Sequence, residues 1–571
     1  MQQEPVPPLM TDRPAAAETL PPHWPRGLPA RIHVPRITLW QQIESAALRF
    51  PDKPAIFFCE NAVTYAALRD QAVRLAGHLQ QHGVNRGDRV LLLSQNCPQF
   101  VVAFHAIVRA GGVVVPINAM STATEVSHYL ADSGARVVCV AQELLAAVAP
   151  ALQDGRLAHA VVHTYSDALL NLPTQPVPDT VTAPRMPLDV PRAVAWQAAL
   201  ADAPPPHEVD VQPTDLCLLP YTSGTTGHPK GCMHTHRTVL ASTYGAALWR
   251  GLHAEAVVLA VAPLFHMLGL QNAMLMPLSQ GATVVMLPRW DVAAAGRAIE
   301  RYRVTTWAAP PAMLNDFFAH PETAQRDLRS LSMLNGGGAP MPQAVATLLR
   351  ERFGISYVEG YGLTETASFL HGNPPGNGKT LSLGLPAFGV DSRIVDPVTL
   401  APLPDGEVGE LVTHGEQLML GYWNNPEANT AAFFERDGKR FFRTGDLACR
   451  DADGFFFMRE RLKRMINVSG FKVWPAEVEG LLHQHPAVHE ACVVAVPDAR
   501  QGESVRALVV CRPGAQVDAE GIAAWCRERL SAYKVPRSVV FRNALPKSET
   551  GKVQWRLLQE EAIAEAERAT H

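Results

Sequence analysis

The sequence predicts an α/β protein: a large N-terminal domain of parallel-rich sheets covered by helices, and a small α+β domain at the C-terminus. Three observations carry that prediction. Short apolar runs alternate with amphipathic stretches of helical period over most of the chain, the order expected of parallel strands joined by helices. Glycine and proline punctuate the joins. After Arg464 the rhythm changes to strand-like runs around one helix, a unit of about 100 residues, which is a usual domain size.

The elements follow in order. Residues 1–35 are rich in proline, with no apolar core of signal-peptide length, and read as a flexible arm rather than a secretory leader. "AIFFC" (Ala55 to Cys59) predicts a strand. Thr64 then caps a helix in which Tyr65, Leu68, Ala72, Leu75 and Leu79 recur at helical spacing, with Gly83 as the stop. "RVLLLS" (Arg89 to Ser94) is the next strand, and the strand-then-helix order returns around "GGVVVP", "RVVCV", "DLCLLP", "ATVVML", "VTTWA" and "LSMLNGGG". Residues 154–213, proline- and alanine-rich and weakly periodic, read as a long surface connection with little structure of its own. The stretch from Ala256 to Leu278 is long enough to cross a bilayer, but Pro263 and His266 divide it. A buried strand, a loop and a buried helix ended by Gly281 explain it better. In the C-terminal part, "ACVVAV", "RALVVC" and "SVVF" predict strands, and residues 519–530 a helix.

Composition narrows the class. A chain of 571 residues with formal charge -4 and 47% hydrophobic residues is an ordinary soluble protein of about two to four domains. The near balance of charge gives no case for nucleic acid, and allows at most peripheral contact with a membrane. Nine cysteines without a CxxC pair argue against a disulfide framework or a structural zinc site, and fit a reducing cytoplasm.

The most informative short stretch is "YTSGTTGHPKG", from Tyr221 to Gly231, directly after an apolar run. Thr222, Ser223, Thr225 and Thr226 supply hydroxyls, Gly224 and Gly227 let the backbone approach, and Lys230 supplies charge. A polyphosphate is the natural guest, although the Walker A pattern and GxGxxG are both absent. Alone, such a loop is equally a flexible surface turn. Cys232, His234 and His236 in "CMHTHR" invite a metal reading, but the spacing lacks a distant partner.

The order of later segments resolves the loop. "PLFH" (Pro263 to His266), "NGGGAP" (Asn335 to Pro340), "YGLTET" (Tyr361 to Thr366), "GELVTHGEQLMLGYWN" (Gly409 to Asn424), "RTGD" (Arg443 to Asp446), "ERLKRMINVSGFKVWPAEVE" (Glu460 to Glu479) and "PKSETGK" (Pro546 to Lys552) follow it. In this order they resemble the adenylate-forming superfamily of acyl-CoA synthetases, adenylation domains and firefly luciferase, over roughly residues 36 to 560.

The resemblance implies ATP, Mg²⁺, coenzyme A and a small carboxylic acid as the molecules handled. It places the β- and γ-phosphates on the Thr222 to Gly227 loop and Lys230, the α-phosphate on Thr364, and Mg²⁺ on Glu365. Taken alone, Thr364 and Glu365 are equally a helix cap and an acidic first turn. Tyr361 resembles the adenine-stacking aromatic, among Glu359, Gly360 and Gly362 and beside Gly337, Gly338, Ala339 and Pro340. Asp446 resembles the carboxylate that accepts both ribose hydroxyls, and Arg461 the second ribose contact, where a solvated charge run is the plainer reading.

Lys552 resembles the lysine that bridges carboxylate and α-phosphate during adenylation, and Gly470 the loop lining the pantetheine tunnel. Their position implies a large domain over residues 36–460, a hinge at 461–464 and a small mobile domain over 465–571. Glu460, where Gly or Asp is usual, and Arg464, where an acid is frequent, depart from the family pattern. His266 resembles the residue beside the acid and the tunnel, and otherwise reads as a core histidine. With Met267, Leu268, Leu270 and Met274 it implies an uncharged, apolar acid tail.

The reading is an acid–CoA ligase of the fatty-acid branch acting on a medium- to long-chain acid. An aryl or dicarboxylic acid–CoA ligase, or an acyl-AMP ligase loading a carrier protein, are the alternatives. A nucleotide-binding regulatory protein without turnover is the reading from another class, and intact Thr364, Glu365, Asp446 and Lys552 count against it. No residue decides oligomeric state, for which a homodimer is the option carried.

Overall fold

The structure is a computed structural model that describes residues 20–222, 229–337, 343–355, 357–469, 471–498, 500–547 and 553–570. Two large sheets organise the N-terminal part. One has seven strands in the order His234–Thr235, Leu216–Leu218, Val113–Ile117, Arg89–Leu93, Val137–Ala141, His159–His163 and Ala193–Ala195, parallel apart from the first. The other has nine: Leu385–Pro386, His371–Gly372, Tyr357–Tyr361, Met333–Gly336, Thr306–Ala308, Val257–Ala260, Thr283–Met286, Pro54–Phe58 and Asn61–Thr64. Its six central strands are parallel.

The largest apolar core lies between these sheets. Ile56, Phe58, Val284 and Met286 of one and Val90, Leu92 and Val114 of the other share it with helices Tyr65–Gln81 and Pro98–Arg109. Because both faces of a central strand are covered, Val113–Ile117 and Val137–Ala141 are buried at every position, which is why they read as unbroken apolar runs. The Tyr65–Gln81 helix begins where expected: Thr64 Oγ1 accepts from the Ala67 amide at 3.1 Å, and Gly83 takes a left-handed φ of 87° past its end.

Three expectations are refined here. Residues 154–213 are not merely a connection, since His159–His163 and Ala193–Ala195 extend the seven-stranded sheet. The apolar core of "HAVVH" is short, and its flanking histidines, polar on paper, are buried against Ser94 and His78 at 2.9 Å each. The arm is also not loose throughout. From Leu20 to Pro35 it is described, and Trp24 meets Trp249 edge-on at 5.1 Å and Phe388 at 5.8 Å, so aromatic burial holds that part down. The stretch 256–278 is strand Val257–Ala260, then a helix that His266 caps, a π-turn over Leu270–Leu275 and a last turn stopped by Gly281 at φ 77°. Among the described residues no helix is long and apolar enough to cross a membrane.

A five-stranded antiparallel sheet follows: Asp391–Val395, Gly409–His414, Lys439–Arg450, Phe433–Arg436 and, against Lys439–Arg450, Phe456–Arg461. The C-terminal sheet joins Phe471–Val473, Ile466–Val468, Gly502–Cys511 and Val488–Asp498, with Ser538–Phe541 parallel to Gly502–Cys511. Helix Trp555–Thr570 covers one face through Leu558 and Ala562, packed on Cys492, Val494 and Leu508.

Between these two sheets the chain is pinned by charge. Arg464 reaches both Glu479 oxygens and lies 3.7 Å from Glu460, donates to Val493 O at 3.2 Å, and stands 5.4 Å from the Trp555 ring. Glu460 in turn accepts from the Ala476 amide at 2.6 Å. The two departures from the family pattern are thus partners of each other.

Candidate active site

The candidate residues collect at the C-terminal ends of parallel strands, where open α/β sheets gather ligands. Strand Tyr357–Tyr361 runs parallel to Met333–Gly336, pairing Glu359 with Gly336, and brings Glu359, Gly360 and Tyr361 beside Gly337. Two glycines here have a plain steric cause. A Cβ on Gly337 would stand 2.2 Å from Gly360 O, and one on Gly362 would stand 1.1 Å from Ser368 O. Two stretches of backbone touch, whatever ligand they serve.

Beyond Gly362 the chain makes a 3₁₀ turn over Thr364–Thr366, and Ala367 and Ser368 then take φ of 49° and 90°. Non-glycine residues held there cost about 1–3 kcal/mol each, so the surroundings must over-determine the turn. They do. Thr366 Oγ1 accepts from the Leu363 amide at 2.9 Å, and His234 Nε2 donates to Thr364 O at 2.8 Å. Burial lowers the His234 pKa to about 4, which keeps the ring neutral and the bond to Thr364 constant. The histidine that suggested a metal ligand is therefore a brace for Thr364. His236 likewise accepts from the Leu39 amide at 3.1 Å, and Cys232 packs with Met419 and Phe442.

Glu365 faces Tyr422, whose hydroxyl donates to Oε1 at 2.8 Å. Burial holds the Glu365 carboxyl above its ordinary range. Lys230 Nζ sits 5.1 Å from the Tyr422 ring centre, so the start of the Gly/Ser/Thr loop and the "YGLTET" turn meet through one tyrosine. Thr222 and Lys230 pair across a two-residue ladder that closes the base of the loop. Ser223, Gly224, Thr225, Thr226 and Gly227 lie outside the described residues, as do Gly338, Ala339, Pro340, Gly470 and Lys552.

Asp446 is fully buried, and its setting explains two motifs together. Glu410 of "GELV" accepts from Arg443 at 2.6 Å and from the Gly445 amide at 3.2 Å, while Thr444 donates to Leu411 O at 2.6 Å. Gly445 takes φ 69°, a conformation glycine adopts without penalty, and the strand turns Asp446 inward. There Tyr361 donates to Oδ2 at 2.7 Å, and Arg461, its partner across the ladder, lies 3.1 Å from Oδ1. Burial and then the Asp446 charge push the Tyr361 phenol far up, so it remains a donor. The Asp446 charge also raises the Arg461 pKa, which fixes the cation in place.

His266 stands apart from this cluster. It follows strand Val257–Ala260, two strands over from Met333–Gly336, and its Nδ1 accepts from the Leu268 amide at 3.3 Å. Tyr422 and His234 are bracing residues whose part sequence reasoning missed. Both lie inside quoted motifs, so position was the available signal. Among the described residues the one grouping of three metal-capable side chains is His78, His82 and His159. The His82 and His159 rings stack at 3.8 Å with 14° between their planes, so their in-plane lone pairs run side by side and do not converge.

A parallel-sheet body with a buried carboxylate, a braced hydroxyl turn and a basic loop base is the frame of an adenylate-forming enzyme. Residues 43–423 match the model of the AMP-binding enzyme family and residues 477–552 that of the AMP-binding enzyme C-terminal domain, and the chain belongs to this family. It is similar to a long-chain-fatty-acid–CoA ligase of Bacillus subtilis, 33% identical over 94% of this chain and 97% of that one. It is also similar to a feruloyl-CoA synthase of an Amycolatopsis species, 38% identical over 88% of this chain and 94% of the relative. The crystal structure of an anthranilate CoA ligase with anthranoyl-AMP superposes with a TM-score of 0.80 at 28% identity, over 94% of this chain and 99% of the other.

Proposed function

We propose that the chain activates a carboxylic acid with ATP and transfers the acyl group to coenzyme A. In the first step a carboxylate oxygen attacks the α-phosphorus, the bond to the β-phosphate breaks, and pyrophosphate leaves with that electron pair. In the second the thiolate sulfur attacks the acyl carbon, the acyl–phosphate bond breaks, and AMP departs. Bringing one anion to another needs aimed donors and fixed positive charge.

Within this reading Asp446 accepts the ribose hydroxyls with Arg461 beside it, and Tyr361 lies under adenine with Glu359, Gly360, Gly362 and the Gly337 to Pro340 segment. Thr364 donates to the α-phosphate, while Thr222 to Gly227 and Lys230 hold the outer phosphates. Glu365 is the carboxylate suited to Mg²⁺, which would screen phosphate charge when bound. A buried carboxyl held above its usual range gains most from a neighbouring cation, so the residue fits the ion. Lys552 bridges the attacking carboxylate and the α-phosphate, and Gly470 leaves room for pantetheine. His266 stands beside the acid.

The large body over 36–460, the hinge at 461–464 and the small domain over 465–571 let Lys552 enter for the first step and leave for the second. The cytoplasm supplies all three substrates, and a homodimer is compatible with the reading. The single observation that carries it is Asp446, wholly buried yet aimed with Tyr361 and Arg461 at the strand ends. A medium- to long-chain fatty acid is the leading substrate, supported by the Bacillus relative. An aryl acid is the second, supported by the feruloyl-CoA relative.

The test is pyrophosphate release from ATP and Mg²⁺ over a panel of alkanoic and aryl acids, followed by thioester formation with coenzyme A or a carrier protein. The expected outcome is acid-dependent release and a coenzyme A thioester. Absence of release with every acid overturns the reading, and transfer to the carrier alone corrects the acceptor.

A further inference from the structure

Helix Pro475–Leu482 begins without a cap of its own. Its N-cap residue is Trp474, whose indole has a donor but no acceptor for an amide, and Pro475 at the next position has no N–H. The Glu477 amide turns back to Trp474 O at 3.0 Å, and the Val478 amide reaches the same oxygen at 3.4 Å. The Ala476 amide is left over, as amides of a first turn are. Glu460 takes it. Oε2 accepts from that amide at 2.6 Å, and the carboxylate stands at the positive end of the helix dipole.

The two partners lie on opposite sides of the proposed hinge. Glu460 belongs to strand Phe456–Arg461, where it pairs with Leu447 across the ladder, and only 3% of its side chain is exposed. The helix belongs to the C-terminal sheet, into whose core it packs Val478 and Leu482 with Ile466, Val493 and Val509. The second oxygen of Glu460 accepts from the Arg461 amide at 2.7 Å and lies 3.7 Å from Arg464 Nη1. Glycine, one of the two residues usual at this position in the family, would supply no acceptor, and aspartate a shorter one.

The pose held by this bond brings the sequence neighbours of Lys552 to the site. Trp555 stands 5.4 Å from the Arg464 guanidinium, and Arg556 is near enough to Arg461 for burial and then the Arg461 charge to lower its pKa. Arg461 in turn lies 3.1 Å from Asp446. A turn at 461–464 would carry the helix off Glu460 and leave a buried carboxylate to be paired anew. The bond therefore weights the equilibrium toward this pose.

We infer that Glu460 is a positioning residue: by capping helix Pro475–Leu482 from the sheet before it, the side chain latches the C-terminal sheet in the pose that serves the first step. The inference rests on the acid–CoA ligase reading and its hinge, and adds which contact sets the balance between the two steps.

The experiment measures acid-dependent ATP–pyrophosphate exchange and thioester formation from supplied acyl-adenylate in the wild type, Glu460→Ala, Glu460→Gln and Glu460→Ala/Trp474→Asp. In the double variant an aspartate at the N-cap position caps the helix from within, so the helix keeps its start while the link across the hinge is gone. The expected result for Glu460→Ala is exchange about 10-fold slower with thioester formation unchanged or faster, a smaller loss for Glu460→Gln, and no recovery in the double variant. An unchanged ratio of the two steps, or recovery with Trp474→Asp, overturns the inference, because either marks Glu460 as a cap and nothing more. Amide hydrogen exchange of the same proteins without ligand separates the latch from the ligase reading. Glu460→Ala should speed exchange in both strand 456–461 and helix 475–482, and adding Trp474→Asp should restore the helix alone. Should no acid be turned over, the ligase reading fails and these rates decide the latch: a strand that does not respond overturns it. Should Glu460→Ala fail to fold, Glu460→Gln is held to the same outcomes.

Discussion

The two halves of the candidate site are built differently. On the proposed nucleotide side several groups are already held by a neighbour: Tyr361 and Arg461 by Asp446, Glu365 by Tyr422, Thr364 through its carbonyl by His234. On the proposed acid side His266 accepts from the Leu268 amide two residues on, within its own turn. The difference teaches where variation is tolerated. A half that must always bind the same nucleotide gains from bonds formed before the ligand arrives, because little ordering remains to be done at the moment of reaction. A half that reads a particular acid can vary without disturbing the nucleotide.

The sharpest way to break this contrast is at Lys552. Lys552→Ala is expected to lower acid-dependent ATP–pyrophosphate exchange by about 1,000-fold for every acid, while thioester formation from supplied acyl-adenylate is largely spared. Unimpaired exchange would remove the residue from the nucleotide half. Next in size is Asp446→Ala, which deletes a charged acceptor and strands the Tyr361 hydroxyl and the Arg461 guanidinium. Charged hydrogen bonds of about 1.5–3 kcal/mol translate to a rise of about 100-fold in KM for ATP, equal across acids. A change in the ranking of acids instead would mean that the halves are not separable.

The smallest effect is the pH profile. Burial raises the Glu365 pKa, so its carboxylate is lost earlier on acidification than an ordinary glutamate would be. Exchange should therefore fall as pH drops through that raised value, and added Mg²⁺ should shift the fall to lower pH. The ligand-free fold responds with the opposite sign. Stability from a raised carboxyl is fully present below its unfolded pKa and is lost as pH rises through the folded one. Glu365→Gln should flatten the profile, and an unchanged profile would assign it to another group.

Much of this was legible before any geometry. Fully buried parallel strands such as Val113–Ile117 announce themselves as apolar runs, and Thr64 and Gly83 bracket their helix by capping chemistry. The strand at His159–His163 was not, because the burial of two histidines depends on Ser94 and His78 from elsewhere in the chain. The site divides the same way. Asp446, Tyr361 and Glu365 stood out as motif residues. That Glu410 exists to turn "RTGD" inward, or that His234 braces Thr364, follows only from distances across more than 30 residues of sequence.

The knot at Arg464 bears on the turn proposed for the C-terminal sheet. One guanidinium grips two carboxylates, a carbonyl and an indole face, and releasing any of them singly strands charge away from water. Glu479, Val493 and Trp555 belong with the C-terminal sheet and Glu460 with the sheet before it, so a turn at the proposed hinge would part Arg464 from Glu460 while its other contacts travel with it.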